Sequence, residues 1–241
     1  MGMKGIVLAG GTGSRLHPLT KVTNKHLLPI GEKPMVYYPI ESLVSSGIED
    51  IMIVTGTEHV GNMLSLLGSG RDFGCNFTYR VQDRPDGVAG ALALCEDFVG
   101  NDSCTVILGD NVFSHNLKND IQKFESRESN LKCRLFLKKV EDPSRYGVAK
   151  VEGEKITMLV EKPQTFISDL CVCGIYMYDS NAFSAIRNLE LSGRGEYEIT
   201  AVNNFYLNNG EVTFGMLPGI WTDAGTHTSY QLANILVNSM E

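Results

Sequence analysis

No apolar run in this chain approaches the ~18–20 residues needed to cross a bilayer, and no signal-like segment opens it. Positive charge is in short supply. Lys and Arg number 21 against 28 Asp and Glu, a net charge of −7, which excludes a chain built to hold nucleic acid or an anionic membrane through clustered basic residues. The six cysteines (Cys75, Cys95, Cys104, Cys133, Cys171, Cys173) include no C-x-x-C pair. Cys171 and Cys173 make a poor disulfide, because alternate strand residues point the same way but stand too far apart. Reduced thiols in a cytoplasm are the reading. The five histidines show no metal-ligand spacing, and internal repeats and low-complexity linkers are lacking. Met1-Gly2 resembles a myristoylation start, but Ile6 stands where Ser or Thr is needed.

What remains is an ordinary soluble globule, 43% hydrophobic and 20% charged over 241 residues, long enough to bury about 70% of its unfolded surface. Its organising stretch runs from Lys4 to Tyr38. Ile6-Val7-Leu8-Ala9 has the length and β-branched content of a buried strand. It breaks into Gly10-Gly11-Thr12-Gly13-Ser14, followed by Arg15 and later Lys25. Glycines directly after a strand allow a tight turn with N–H groups offered to an anion, and Arg15 and Lys25 could neutralise a polyphosphate. This is neither of two familiar loops. A dinucleotide fingerprint would need glycine at Leu16, and the Gly-Lys-Ser/Thr ending of a Walker A loop is missing. An ordinary glycine-rich turn is the alternative, disfavoured by the two cations.

Pro34 suits the first turn of a helix over 34–46, with Met35, Ile40, Leu43 and Val44 as its buried stripe. Strands are expected at 51–54, 76–82 and 105–108, and helices at 58–67, stopped by Gly68, and at 88–98. This alternation predicts an α/β fold, a doubly wound and mostly parallel sheet with ligands at the strands' carboxyl ends. Beyond Leu131 the pattern turns to consecutive strands at 133–140, 146–151, 156–161 and 171–178. A helix at 197–207, a strand at 212–217 and a helix from Thr226 follow. The expectation is a single domain over 1–241 whose second half, from about 126, completes the same sheet and adds a β-rich flap over its mouth.

Asp110 closes the run Val106-Ile107-Leu108-Gly109-Asp110, and Asp223 lies in a glycine-flanked turn before the last helix. Two carboxylates at a strand-end cleft suit Mg²⁺, a hard ion that also grips phosphates. Taken singly, Asp223 could be a helix N-terminal residue and Asp110 part of an Asp-Asn turn. Gln82 ends a strand, and its amide, with donor and acceptor side by side, fits the edge of thymine or uracil. Gly87 would let the backbone approach a base, although Gln82 could equally be a solvated strand end. Glu196 is expected to cap or open a helix, with no chemistry assigned.

The patterns L-A-G-G-x-G-x-R-L-x-P-L-T from Leu8, K-x-L-L-P from Lys25 and K-P-M-x-Y-Y-P from Lys33 resemble the signature of the sugar nucleotidyltransferases. The likeness covers essentially the whole chain and is strongest to the branch that joins a thymidine nucleotide to glucose 1-phosphate. It implies a Rossmann-like nucleotidyltransferase fold, with residues 1–125 as the nucleotide half and 126–241 as the sugar-phosphate half. By the same resemblance Gly10, Gly11 and Gly13 cradle the nucleotide, while Gln82 and Gly87 read its pyrimidine. Tyr146, Gly147, Glu161 and Val172 hold the sugar, and Asp110 and Asp223 hold magnesium. Lys162 lies where bond exchange occurs, and Arg15 and Lys25 hold the departing pyrophosphate. The implied partners are a nucleoside triphosphate and a sugar 1-phosphate, with no nucleic acid or membrane, in an assembly of at least a dimer. Three departures stand out: His26 in place of a usual Gln, Cys173 in place of a usual Thr, and an end at Glu241. Longer relatives carry C-terminal helices that build a secondary nucleotide site, so this inhibitory site is expected to be lacking.

Overall fold

The computed structural model of the protein describes residues 2–126 and 132–239. The chain opens on β1 (Met3–Ala9), a run whose alternate side chains enter opposite apolar layers. Ile6 and Leu8 join one cluster, and Val7 and Ala9 the other. A strand covered on both faces has to be continuously apolar, and from Ile6 to Ala9 this one is. The short strands β2 (Pro29–Ile30) and β3 (Lys33–Pro34) then pair before α1 (Tyr37–Ser45). Pro34 therefore belongs to a strand, opposite Pro29, and not to the first turn of a helix. The amides after it are already engaged: Met35 N donates to Leu28 O and Val36 N to His26 O, both at 2.9 Å, so the helix starts only at Tyr37.

Next come β4 (Asp50–Gly56), α2 (Val60–Leu67), β5 (Asn76–Gln82), α3 (Val88–Ala93), α4 (Glu96–Val99) and β6 (Ser103–Leu108). The single helix expected over 88–98 is broken in two. Cys95 N bonds to Leu92 O at 2.9 Å, a tighter turn than the α-helical repeat, and resets the axis. The chain continues through β7 (Asn111–Phe113), α5 (Lys118–Glu125), β8 (Cys133–Lys139), β9 (Gly147–Glu152), β10 (Lys155–Glu161) and β11 (Leu170–Tyr178). It closes with α6 (Asn181–Arg187), α7 (Ile199–Asn208), β12 (Val212–Met216), β13 (Trp221–Asp223) and α8 (His227–Asn238). The helices α5 and α6 and the two-stranded ribbon β7–β13 were not anticipated from sequence.

Nine strands form one sheet, with the path β10-β9-β11-β6-β1-β4-β5 and with β8 and β12 added on the far edge of β11. The β6-β1-β4-β5 portion is parallel, and β11 runs antiparallel to β6, β8 and β9. One face is packed by α3, α6 and α7, through Leu92, Phe183, Val202 and Tyr206. The other is packed by α1, α2 and α5, through Ile40, Leu43, Met63 and Ile121. A third cluster, including Leu16, Ile30, Met35, Ala233 and Val237, ties the segment after the glycine loop to α8.

The cleft arises from the way β11 is shared. Its end, Ile175 to Tyr178, pairs with β6, while Cys171 pairs with Val148 of β9 on the same edge, since β8 occupies the opposite edge over both stretches. The sheet therefore splits at Gly174, where β6 stops and β9 takes over. The flap anticipated over the sheet's mouth is the β9–β10 hairpin, hydrogen-bonded into the sheet itself. All six cysteines are free and buried. Among the described residues, no helix is long and apolar enough to cross a membrane.

Because Ile6 is fully buried in the central strand, Ile6→Ala is expected to cost about 2–5 kcal/mol of unfolding free energy by urea denaturation. A loss below about 1 kcal/mol would contradict that placement.

Candidate active site

The glycine loop leaves β1 and enters a short 3-10 turn, Ser14–Leu16, whose Leu16 is fully buried and pins the loop from below. Gly13 has φ 66°, and a Cβ there would meet Lys25 Cβ at 2.9 Å and the Thr20 side chain at 3.0 Å, so only glycine fits. Thr20 Oγ1 donates to Gly13 O at 2.7 Å. Arg15, beside the buried anchor, is left to reach into the cleft. A second 3-10 turn, Lys25–Leu27, is capped by Asn24, whose Oδ1 accepts His26 N at 2.9 Å and pairs with His26 Nδ1 at 2.7 Å. Lys25 is thereby held in a buried position.

Lys25 Nζ lies 2.5 Å from Asp110 Oδ2, and Asn111 Nδ2 donates to Asp110 Oδ1 at 3.1 Å. Burial alone would raise the Asp110 carboxyl, but the Lys25 ammonium and these hydrogen bonds outweigh it and hold the group at about 2. Asn111 also accepts from Trp221 Nε1 at 2.8 Å and Gly174 N at 3.2 Å, so one amide joins Asp110, the ribbon and the split in the sheet. Asp223 ends β13, where a glycine-flanked turn was expected. The ribbon places it opposite Asn111, the residue after Asp110, which is how the two aspartates become neighbours despite lying far apart in sequence. Tyr146 Oη donates to Asp223 Oδ1 at 2.6 Å, and Arg145 Nη2 lies 3.3 Å from Oδ2. Burial, then the Asp223 charge and this bond, push the Tyr146 hydroxyl well up, so it remains a donor.

The two carboxylates face a shared space. Around the point where a Cβ on Gly225 would stand, Asp223 Oδ2 lies at 3.1 Å, Asp110 Oδ2 at 3.3 Å and Arg15 Nη2 at 3.3 Å. Two carboxylate oxygens converging on a spot left open by glycine suit a hard divalent ion, while the Arg15 guanidinium beside them suits an anion such as a phosphate oxygen. Among the described residues no cluster of three or more His, Cys, Asp or Glu is placed to hold a metal ion.

On the β-rich side, β9 and β10 set Gly147 opposite Glu161. Thr200 Oγ1 donates to Glu161 Oε2 at 2.5 Å, and Arg194 Nη2 reaches Oε1 at 3.3 Å. Lys162 adopts φ 42°, a strained value for a residue with a side chain, kept in place by its N–H bond to Tyr146 O at 2.9 Å. Its ammonium lies 3.7 Å from Glu161 Oε1 and remains largely exposed. Across the site, Gln82 Nε2 donates to Asp86 Oδ1 at 2.7 Å.

Every site residue expected from sequence lines one cleft of about 390 Å³: Gly10, Gly11, Gly13, Arg15, Lys25, Gln82, Gly87, Asp110, Tyr146, Gly147, Glu161, Lys162, Val172 and Asp223. This is the size of a small-molecule site. His26 lines it too, whereas Cys173 is fully buried on the opposite face of its strand. Glu196 does not cap a helix, since α7 starts at Ile199. It lines the cleft and lies 3.6 Å from Arg194. Sequence reasoning missed Arg145, Asn111, Thr200, Trp221 and Arg194. Arg145 and Asn111 adjoin residues that were chosen, and adjacency was the one signal available.

The sequence profile of a family described as nucleotidyl transferase matches residues 4–239. A glucose-1-phosphate thymidylyltransferase of Mycolicibacterium smegmatis is 41% identical over 243 residues, covering 99% of this chain and 83% of that one. Among solved structures, a Bacillus anthracis protein described as a candidate glucose-1-phosphate thymidylyltransferase, in complex with sucrose, superposes with a TM-score of 0.94. It is 52% identical, with 100% of this chain and 97% of that one covered. A UDP-glucose pyrophosphorylase complexed with UDP-glucose superposes with a TM-score of 0.86 at 26% identity, with both chains covered completely.

His26 carries a pH signature. Burial first, then the Lys25 charge, lower it from 6.5 to about 3, so it is neutral in the folded protein. Between those values the unfolded chain binds this proton and the folded chain does not. Stability is therefore complete above pH 6.5 and falls as pH drops toward 3. Urea titrations should show His26→Gln losing less stability than the wild type between about pH 7 and about pH 5, by about 2 kcal/mol. Equal losses would refute a buried neutral His26.

Proposed function

The chain belongs to the nucleotidyl transferase family, and on that footing we propose that it transfers a thymidylyl group from dTTP to glucose 1-phosphate, giving dTDP-glucose and pyrophosphate. The observation carrying the chemistry is the convergence of Arg15, the Lys25–Asp110 pair and Asp223 in one cleft with Lys162 and Glu161. Thymidylyltransferase relatives at about 40% identity over nearly the whole chain favour dTTP and glucose 1-phosphate as the pair.

A phosphate oxygen of the sugar 1-phosphate is ionised at neutral pH and attacks the α-phosphorus in line. The bond from that phosphorus to the bridging oxygen breaks, and pyrophosphate leaves with the electron pair. No general base is needed. The protein has to align two polyanions and offset their repulsion. The amides of Gly10, Gly11 and Gly13, with Arg15 and Lys25, hold the departing end. Lys162, exposed to the cleft beside Glu161, serves the attacking and α-phosphate oxygens. Mg²⁺, held by Asp110 and Asp223, would supply positive charge to phosphate oxygens when bound. Arg145 and Tyr146 keep Asp223 aimed at that position, and Gln82 with Gly87 flanks the base.

Glu161 and the backbones of Gly147 and Val172 face the sugar hydroxyls, with the Tyr146 ring packed edge-on against Trp221 at 5.6 Å. Asn203 Nδ2 is buried at the cleft with no protein partner among the described residues, a donor that a hydroxyl or a water would satisfy. The substrates and the buried free thiols suit a cytoplasmic enzyme.

Pyrophosphate release across a panel of nucleoside triphosphates and sugar 1-phosphates is expected to be fastest with dTTP and glucose 1-phosphate, and to stop on chelation of divalent ions. Faster release with UTP would reassign the nucleotide, and no release from any pair would make the chain a nucleotide-sugar-binding protein. Lys162→Ala and Asp110→Ala should each lower turnover by about 100-fold or more.

A further inference from the structure

Gln82 closes β5 with an amide whose two ends meet different groups. Its Nε2 donates to Asp86 Oδ1 at 2.7 Å and to Gly87 O at 3.4 Å, while its Oε1 rests against Gly10. A carboxylate and a carbonyl can only accept, so the nitrogen end of the amide has to face both of them. The oxygen is what remains to be offered to the cleft. Asp86 is not among the residues lining that cleft. Its carboxylate is seated on Gly90 of α3, where a Cβ would run into it, and its backbone carbonyl accepts Tyr197 N at 2.7 Å.

We propose that Asp86 is a positioning residue that locks the Gln82 amide with its oxygen toward the base, so that the site selects a base with an imide N–H, thymine or uracil, against cytosine. This rests on the assignment of Gln82 as a base contact. Thymine and uracil carry an N3–H donor between two carbonyls, whereas the N3 of cytosine is a bare lone pair. A fixed amide oxygen accepts the N3–H and repels the lone pair. An amide free to turn end for end can offer N–H to cytosine instead, so the discrimination resides in the lock as well as in the glutamine.

The test is the ratio of kcat/KM for dTTP to kcat/KM for dCTP. Asp86→Asn keeps the shape but can present either a donor or an acceptor to Gln82, and should lower the ratio by about tenfold or more. Gly90→Ala, which displaces the carboxylate without altering it, should shift the ratio the same way and carries the test if Asp86→Asn does not fold. A partly misfolded sample lowers both constants together and leaves the ratio unmoved, so a structural defect does not imitate the effect. Gln82→Ala should also lower the ratio, and adding Asp86→Asn to it should change nothing further. If Gln82→Ala lowers the ratio and Asp86→Asn leaves it unmoved, the lock is overturned and the base contact stands. If Gln82→Ala leaves it unmoved, the base contact falls and the lock with it.

Discussion

Asp110 and Asp223 are two carboxylates turned toward one small space, and like charges held that close repel unless each is met by a cation. Lys25 sits 2.5 Å from Asp110, while Arg145 and the Tyr146 hydroxyl take Asp223. A buried carboxylate left without its cation would be raised in pKa and neutralised, and would lose its affinity for a hard ion. The fold solves this by tying each partner to a different element: Lys25 to the turn after the glycine loop, Asp110 to the end of β6, Asp223 to the ribbon and Arg145 to the approach to β9. The charges are thus arranged before any ligand arrives, the condition under which fixed charges do most for a reaction between anions.

The room for those ligands comes from backbone topology. β11 leaves β6 and pairs with β9 along the same edge, which opens the sheet beside Gly174. Gly174 has no side chain because Asn111 Nδ2 would lie 2.6 Å from its Cβ and Leu108 2.8 Å away. The Asn111 side chain spans the opening and holds both walls through Gly174 N and Trp221 Nε1. Asn111 is in this sense a structural keystone as well as a neighbour of Asp110.

The two ends of the cleft are also joined from outside. Tyr197 N donates to Asp86 O at 2.7 Å, and Ala89 N donates to Tyr197 O at 3.1 Å, which ties the segment before α7 to the turn beneath Gln82. Gly87, at φ 105°, lies against this segment so closely that a Cβ would come within 2.5 Å of Tyr197 O. Arg194, on the same segment, reaches Glu161 as well as Glu198. The Gln82 side and the Glu161 side of the cleft are therefore braced by one short stretch of chain.

The sequence by itself determined whatever depends on local pattern. Apolar runs marked the strands, the run into Gly10 to Ser14 marked the loop that lines the cleft, and the β-α alternation marked the parallel part of the sheet. The motifs around Arg15, Lys25, Asp110, Lys162 and Asp223 marked the candidate chemistry. Only the tertiary structure decided what depends on long-range pairing. Pro34 became a strand residue because Leu28 and His26 took the amides that follow it, and Asp223 reached Asp110 only through the register of β7 with β13. Arg145, Thr200 and Arg194 look like ordinary surface residues until the fold sets them against Asp223 and Glu161. The physical reason is range: turn chemistry and side-chain alternation act over a few residues, whereas the partner of a buried charge is fixed by contacts between segments far apart along the chain.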